Sequence, residues 1–117
     1  MDTYRWPHPK GVEAVNTLLR LPADGREQDW EIELADGARL AEFLDAFENA
    51  ALDLEGRSAL ALLILFSITY AEADVGHDEL DRVRGAIRGD PTILHRMRSY
   101  WSEGFADHEG TVKGLIS

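Results

Sequence analysis

Between Arg57 and Glu72 the chain carries no charge, and from Ala59 to Phe66 every side chain is apolar. Ser67 interrupts this run and Ile68 extends it. In an α-helix with about 3.6 residues per turn, such a run points in every direction and leaves no polar face for water. Ala and Leu dominate and Val is absent, which favours a helix over a buried strand. The run is well short of the roughly 18 apolar residues that a membrane span needs. It therefore predicts a helix from about Leu54 to Ala73 at the centre of a globular body, covered by its neighbours. Ser67 and Thr69 are expected to return their hydroxyls to carbonyls one turn back.

The rest of the chain supplies that cover. Pro7 and Pro9 prevent an earlier start, and from Gly11 the residues Val12, Val15, Leu18, Leu19 and Leu21 recur at helical spacing. Pro22 and the turn at residues 23–26 close this helix. Asp36 is placed to cap a second helix, in which Leu40, Phe43, Leu44 and Phe47 fall at i, i+3, i+4 and i+7. After Gly76, Leu80, Val83 and Ile87 mark a helix with acids at its start and arginines toward its end, in the sense the helix dipole favours. Asp90-Pro91 opens the last one, with Asp90 as cap and Pro91 at the first helical position. Its inward face is Ile93, Leu94, Met97, Tyr100 and Trp101. Residues 29–34 alternate apolar and acidic, but no second segment alternates to pair with them. An extended or single-turn segment packed on a helical body is expected there. The fold class is all-α, a compact bundle of four to five helices around a central apolar helix, with one domain over residues 1–108 and a C-terminal tail over 109–117.

Composition excludes several function classes. The 117 residues contain no Cys, which removes disulfide scaffolds, Cys-ligated metal centres and thiol nucleophiles. With 12 Lys and Arg against 22 Asp and Glu, the net charge is −10, and contact with nucleic acid or anionic lipid would be repulsive overall. The first ten residues have no basic segment followed by an apolar one, so no secretory signal is expected and the cytoplasm is the expected compartment. No phosphate loop, nucleophile elbow, zinc motif or calcium-loop spacing is present. Neither a cofactor nor a metal is expected.

The charge is unevenly distributed. Residues 27–81 hold fifteen acids against Arg39 and Arg57, whereas residues 82–98 hold five arginines and Asp90. Two acidic clusters follow: Glu27, Asp29, Glu31, Glu33 and Asp36, with Trp30 inside it, and Glu72, Asp74, Asp78, Glu79 and Asp81. The first is a candidate docking face with Trp30 as an exposed aromatic anchor, and Asp74, Asp78, Glu79 and Asp81 are candidates in the second. The bland alternative is a set of solvated helix faces paired with the arginines. A rival site would combine His95, expected half-buried, with Arg82, Arg84, Arg88, Arg96 and Arg98, as a small ligand-binding or enzymatic domain. A third reading is a structural subunit that forms a homodimer through Trp6, Trp30 or Trp101.

The segments 28–36 and 39–44, the central helix ending in Ala71-Glu72-Ala73-Asp74, and the segment from Asp90-Pro91 to Tyr100-Trp101 resemble a group of small acidic bacterial proteins. In size, acidity and helicity the chain is similar to the immunity proteins of bacterial toxin systems. That resemblance implies a non-enzymatic protein that occludes a basic partner, an acidic surface standing in for nucleic-acid phosphate at a toxin's site.

Overall fold

The structure, a computed structural model, describes residues 7–24, 26–70, 75–101 and 111–116. Among the described residues seven α-helices run in the order α1 (Pro9–Leu19), α2 (Trp30–Glu33), α3 (Leu40–Asn49), α4 (Leu54–Thr69), α5 (His77–Arg88), α6 (Pro91–Trp101) and α7 (Thr111–Ile116), with a 3-10 turn at Gly37–Arg39 before α3. The five longer helices are those the periodicity predicts. The protein is an all-α bundle around α4.

From Ser58 to Ile68 every residue of α4 is buried. Helices α1, α2, α3, α6 and α7 pack against it, and α5 closes the outside against α3, α6 and α7. Asp53 caps α4, its Oδ1 accepting the Gly56 N–H at 2.8 Å. Thr69 and Ser58 donate their hydroxyls to carbonyls one turn back. Ser67 is used differently from the expectation: its hydroxyl oxygen accepts the Asp36 N–H at 2.9 Å, fastening the segment before the 3-10 turn onto α4.

Helix α1 starts at Pro9, with His8 as cap through Nδ1, and stops at Leu19, earlier than Pro22 would require. Arg20 takes φ 50°, a left-handed conformation that ends the helix and turns both its own N–H and that of Leu21 to the Asn16 carbonyl. Leu18 therefore faces water rather than the core, while Leu21 is buried beyond the helix end. The approach of α1 to α4 is set by Gly11. A Cβ at this position would lie 2.3 Å from the Glu55 carbonyl oxygen and 3.2 Å from the Gly56 nitrogen.

At the other end, Asp90 caps α6 as expected: its Oδ1 accepts the Ile93 N–H at 3.3 Å, and its Oδ2 pairs with Arg57 at 3.1 Å. The C-terminal segment, whose docking the sequence leaves open, packs on the bundle. Within it, α7 buries Val112, Leu115 and Ile116, and the side chains of Arg88 and Arg98 donate to the Leu115 and Ile116 carbonyls. These cations meet the negative end of the α7 dipole.

Two substitutions test this packing. Gly11→Ala gains helix propensity but forces two backbones apart, and a net loss of about 1–3 kcal/mol in chemical denaturation is expected. Leu63→Asp buries an unpaired charge in α4 and is expected to cost ~3 kcal/mol or more. A variant melting within a degree or two of the parent would contradict the central position of α4.

Candidate functional site

The two acidic clusters behave differently. Within residues 29–34, Trp30–Glu33 form the single helical turn α2, one of the two forms expected there, and the turn decides which side chains point inward. Trp30, Glu31 and Leu34 are buried, whereas Ile32 and Glu33 are exposed. In an alternating segment Trp30, Ile32 and Leu34 would have shared one side; in a helical turn positions 30, 31 and 34 do.

Trp30 is thus not the exposed anchor that its acidic surroundings suggest. It is 3% exposed, and its indole N–H donates to Asn16 Oδ1 of α1 at 2.8 Å. Nor does it offer a dimer surface, and Trp101 is buried too; Trp6 lies outside the described residues. Glu31, expected at the surface, is also 3% exposed. Its Oε2 accepts the Tyr100 hydroxyl at 3.1 Å. Phe66 packs edge-on against the Tyr100 ring, at 5.8 Å between centroids, so the hydroxyl's place is set by α4 and α6. Burial pushes the Glu31 carboxyl above its ordinary range, and the charges of Asp29 and Glu33 push the same way; its own backbone N–H and the Tyr100 hydroxyl oppose the shift.

Glu31 and Trp30 form one wall of a cavity of about 460 Å³. Pro9, Val12, Glu13 and Asn16 of α1 form another, with Pro7, Glu27 and Gln28 completing it. The α1 residues fall at i, i+3, i+4 and i+7, which is one helix face. The sequence reading of this helix followed its apolar positions and did not single out Glu13 or Asn16. The signal of this face was the proline and valine at the same spacing.

Around the rim, Asp29 and Glu33 are exposed, the Asp29 N–H bonding Glu33 Oε2 at 3.1 Å. Neither these two nor Glu31 forms an ion pair among the described residues. In the second cluster, Asp74 lies outside the described residues. Asp78 and Glu79 occupy the first turn of α5, and Asp81 pairs with Arg84 at 3.3 Å.

The rival set does not assemble. His95, expected half-buried, is exposed on α6. Arg96 next to it is turned to Glu55 and Ser58 of α4, at 2.8 and 3.0 Å. Arg82 reaches Asp45 and Glu48 of α3, Arg84 pairs along its own helix, and Arg88 and Arg98 hold α7. Arg57 bonds Asp90 and the Phe47 carbonyl with its guanidinium 4.1 Å from the Phe47 ring, and Arg39 joins Glu42 and the Leu19 carbonyl. Among the described residues, no three His, Asp or Glu side chains converge as metal ligands would, and no helix is long and apolar enough to cross a membrane.

No protein-family model, no curated protein and no solved structure matches the chain.

The Glu31 environment makes a pH-dependent prediction. A carboxyl whose folded pKa lies above its unfolded value of 4.5 favours the folded state only while protonated. Below the unfolded value both states are neutral and nothing is lost. As pH rises the unfolded chain ionises first, so stability falls until the folded pKa is passed. Glu31→Gln keeps an oxygen for Tyr100 and cannot ionise. Its melting temperature should match the parent near pH ~4 and exceed it at neutral pH. A variant less stable than the parent at neutral pH would show that the buried charge is a net stabiliser.

Proposed function

We propose that the chain is a non-enzymatic binding protein, of the immunity or inhibitor kind, that docks on and occludes a basic protein partner. One observation supports this reading above the others. The seven arginines between Arg39 and Arg98 are all turned to acids or carbonyls of the protein itself, while Asp29, Glu31, Glu33, Asp78 and Glu79 form no ion pair among the described residues. Most of these arginines hold one segment to another, and acid is left on and just beneath the surface. A field of one sign steers an oppositely charged partner and rejects like-charged ones. The exposed positions for that work are Asp29 and Glu33 beside the cavity, and Asp78 with the half-buried Glu79 at the start of α5. The role does not extend to Trp30 or Glu31 as surface contacts, because both are buried.

The test is kinetic. A nona-arginine peptide serves as a minimal basic probe, with binding followed from about 50 to about 300 mM salt. Association should slow steeply as salt rises. Asp29→Lys combined with Glu33→Lys should lower the association rate about tenfold at low salt, with the melting temperature nearly unchanged, since exposed acids contribute little to stability. Binding insensitive to salt, or no binding at micromolar concentrations, would reject the reading.

A further inference from the structure

Helix α7 has six residues, far fewer than the roughly 12–15 that an isolated helix needs to persist in water, so it is helical only while it is docked. Val112, Leu115 and Ile116 bury one face of it against α4, α5 and α6. The carbonyls of Leu115 and Ile116 accept from Arg88 of α5 and Arg98 of α6. Against these holds stands Gly114. It lies inside the helix on the exposed side, and a Cβ there would meet no heavy atom within 4 Å. Gly11 is required by a backbone carbonyl oxygen 2.3 Å from where its Cβ would be. No such contact requires Gly114, and glycine inside a helix is the poorest former after proline. The chain thus weakens α7 at a position where alanine would fit.

The rest of the bundle is tied together without α7. Arg82 joins α5 to α3, Arg96 joins α6 to α4, and Arg57 joins α4 to Asp90 at the entry to α6. None of these pairs involves a residue of α7. Arg88 and Arg98 are exposed, so when α7 leaves, their guanidiniums and the freed carbonyls turn to water and no buried polar group is stranded.

We propose that α7 is a releasable strap, which lifts off as a unit while α1 to α6 stay folded and so uncovers an apolar face on α4, α5 and α6. In the closed state α7 is itself the occupant of that face. The proposal is independent of the binding reading above, since no residue of α7 belongs to either acidic cluster.

Amide hydrogen exchange of the full chain at rising, sub-denaturing urea reads the opening directly. The amides of Leu115 and Ile116 close α7 onto its own first turn. Their protection should be about a hundredfold lower than that of the α4 amides, with a shallow dependence on urea because the opening exposes little surface. Gly114→Ala should slow their exchange about three- to fivefold, the change that the difference in helix propensity implies. Leu115→Asp should undock α7, raise the binding of an apolar dye, and leave a cooperatively folded bundle whose α4 amides stay protected. Equal protection and equal urea dependence for α7 and α4 overturn the proposal, because α7 would then open only with the whole protein. An unfolded Leu115→Asp chain overturns it too, since the bundle would depend on α7. Unchanged exchange in Gly114→Ala also counts against it, because the α7 helix would not be what melts at the opening.

Discussion

A helix with apolar side chains on every side cannot end at the surface of anything soluble in water, so α4 imposes a requirement on the rest of the chain. Cover must come from several directions, and it must come from segments short enough to fit within 117 residues. Five helices meet that requirement by direct contact. Helix α1 comes close, because the absent side chain of Gly11 lets its backbone settle on the Glu55–Gly56 backbone of α4. The depth of α1, and with it the distance from Asn16 to α2, follows from that contact.

Burying α4 so completely leaves few places for polar groups, and those near it are occupied in pairs. Ser58 and Arg96, Ser67 and the Asp36 amide, and Asp53 and the Gly56 amide each satisfy a group that would otherwise be stranded. The arginines serve the same end one layer further out, tying α3 to α5, α4 to α6, and α7 to both of its neighbours. Salt bridges at such partly exposed positions add modest stability. Their larger effect is on charge: they engage seven arginines, while Asp29, Glu31 and Glu33 form no ion pair among the described residues.

Glu31 is hydrogen-bonded too, by the Tyr100 hydroxyl and its own backbone N–H, but it has no ion-pair partner among the described residues. Its carboxylate accepts the hydroxyl of Tyr100, whose ring packs on Phe66 and Trp101. A chain under selection for stability alone would be expected to place a glutamine or an apolar residue here. A buried acid beside an open cavity is the kind of local conflict that functional sites carry.

The helices were legible in the sequence because their signals are local. The spacing of Leu40, Phe43, Leu44 and Phe47, the Asp90-Pro91 entry and the unbroken run of α4 each depend on residues within a few turns. Residues 29–34 were legible only in part. Alternation and a single helical turn share the same short pattern, and the two differ in which of Glu31 and Ile32 is buried. The burial of Trp30 was invisible, because its partner Asn16 lies fourteen positions away on another helix. The docking of α7 was left open, since Val112, Leu115 and Ile116 gain their value only from α4, α5 and α6. What the sequence by itself determined is the all-helical class, the central helix and the surplus of acid, all properties of composition and short-range periodicity. Only the tertiary structure decided which acid is buried, which arginines are committed and where the cavity opens, because burial and charge pairing depend on distances between segments that chain order does not specify.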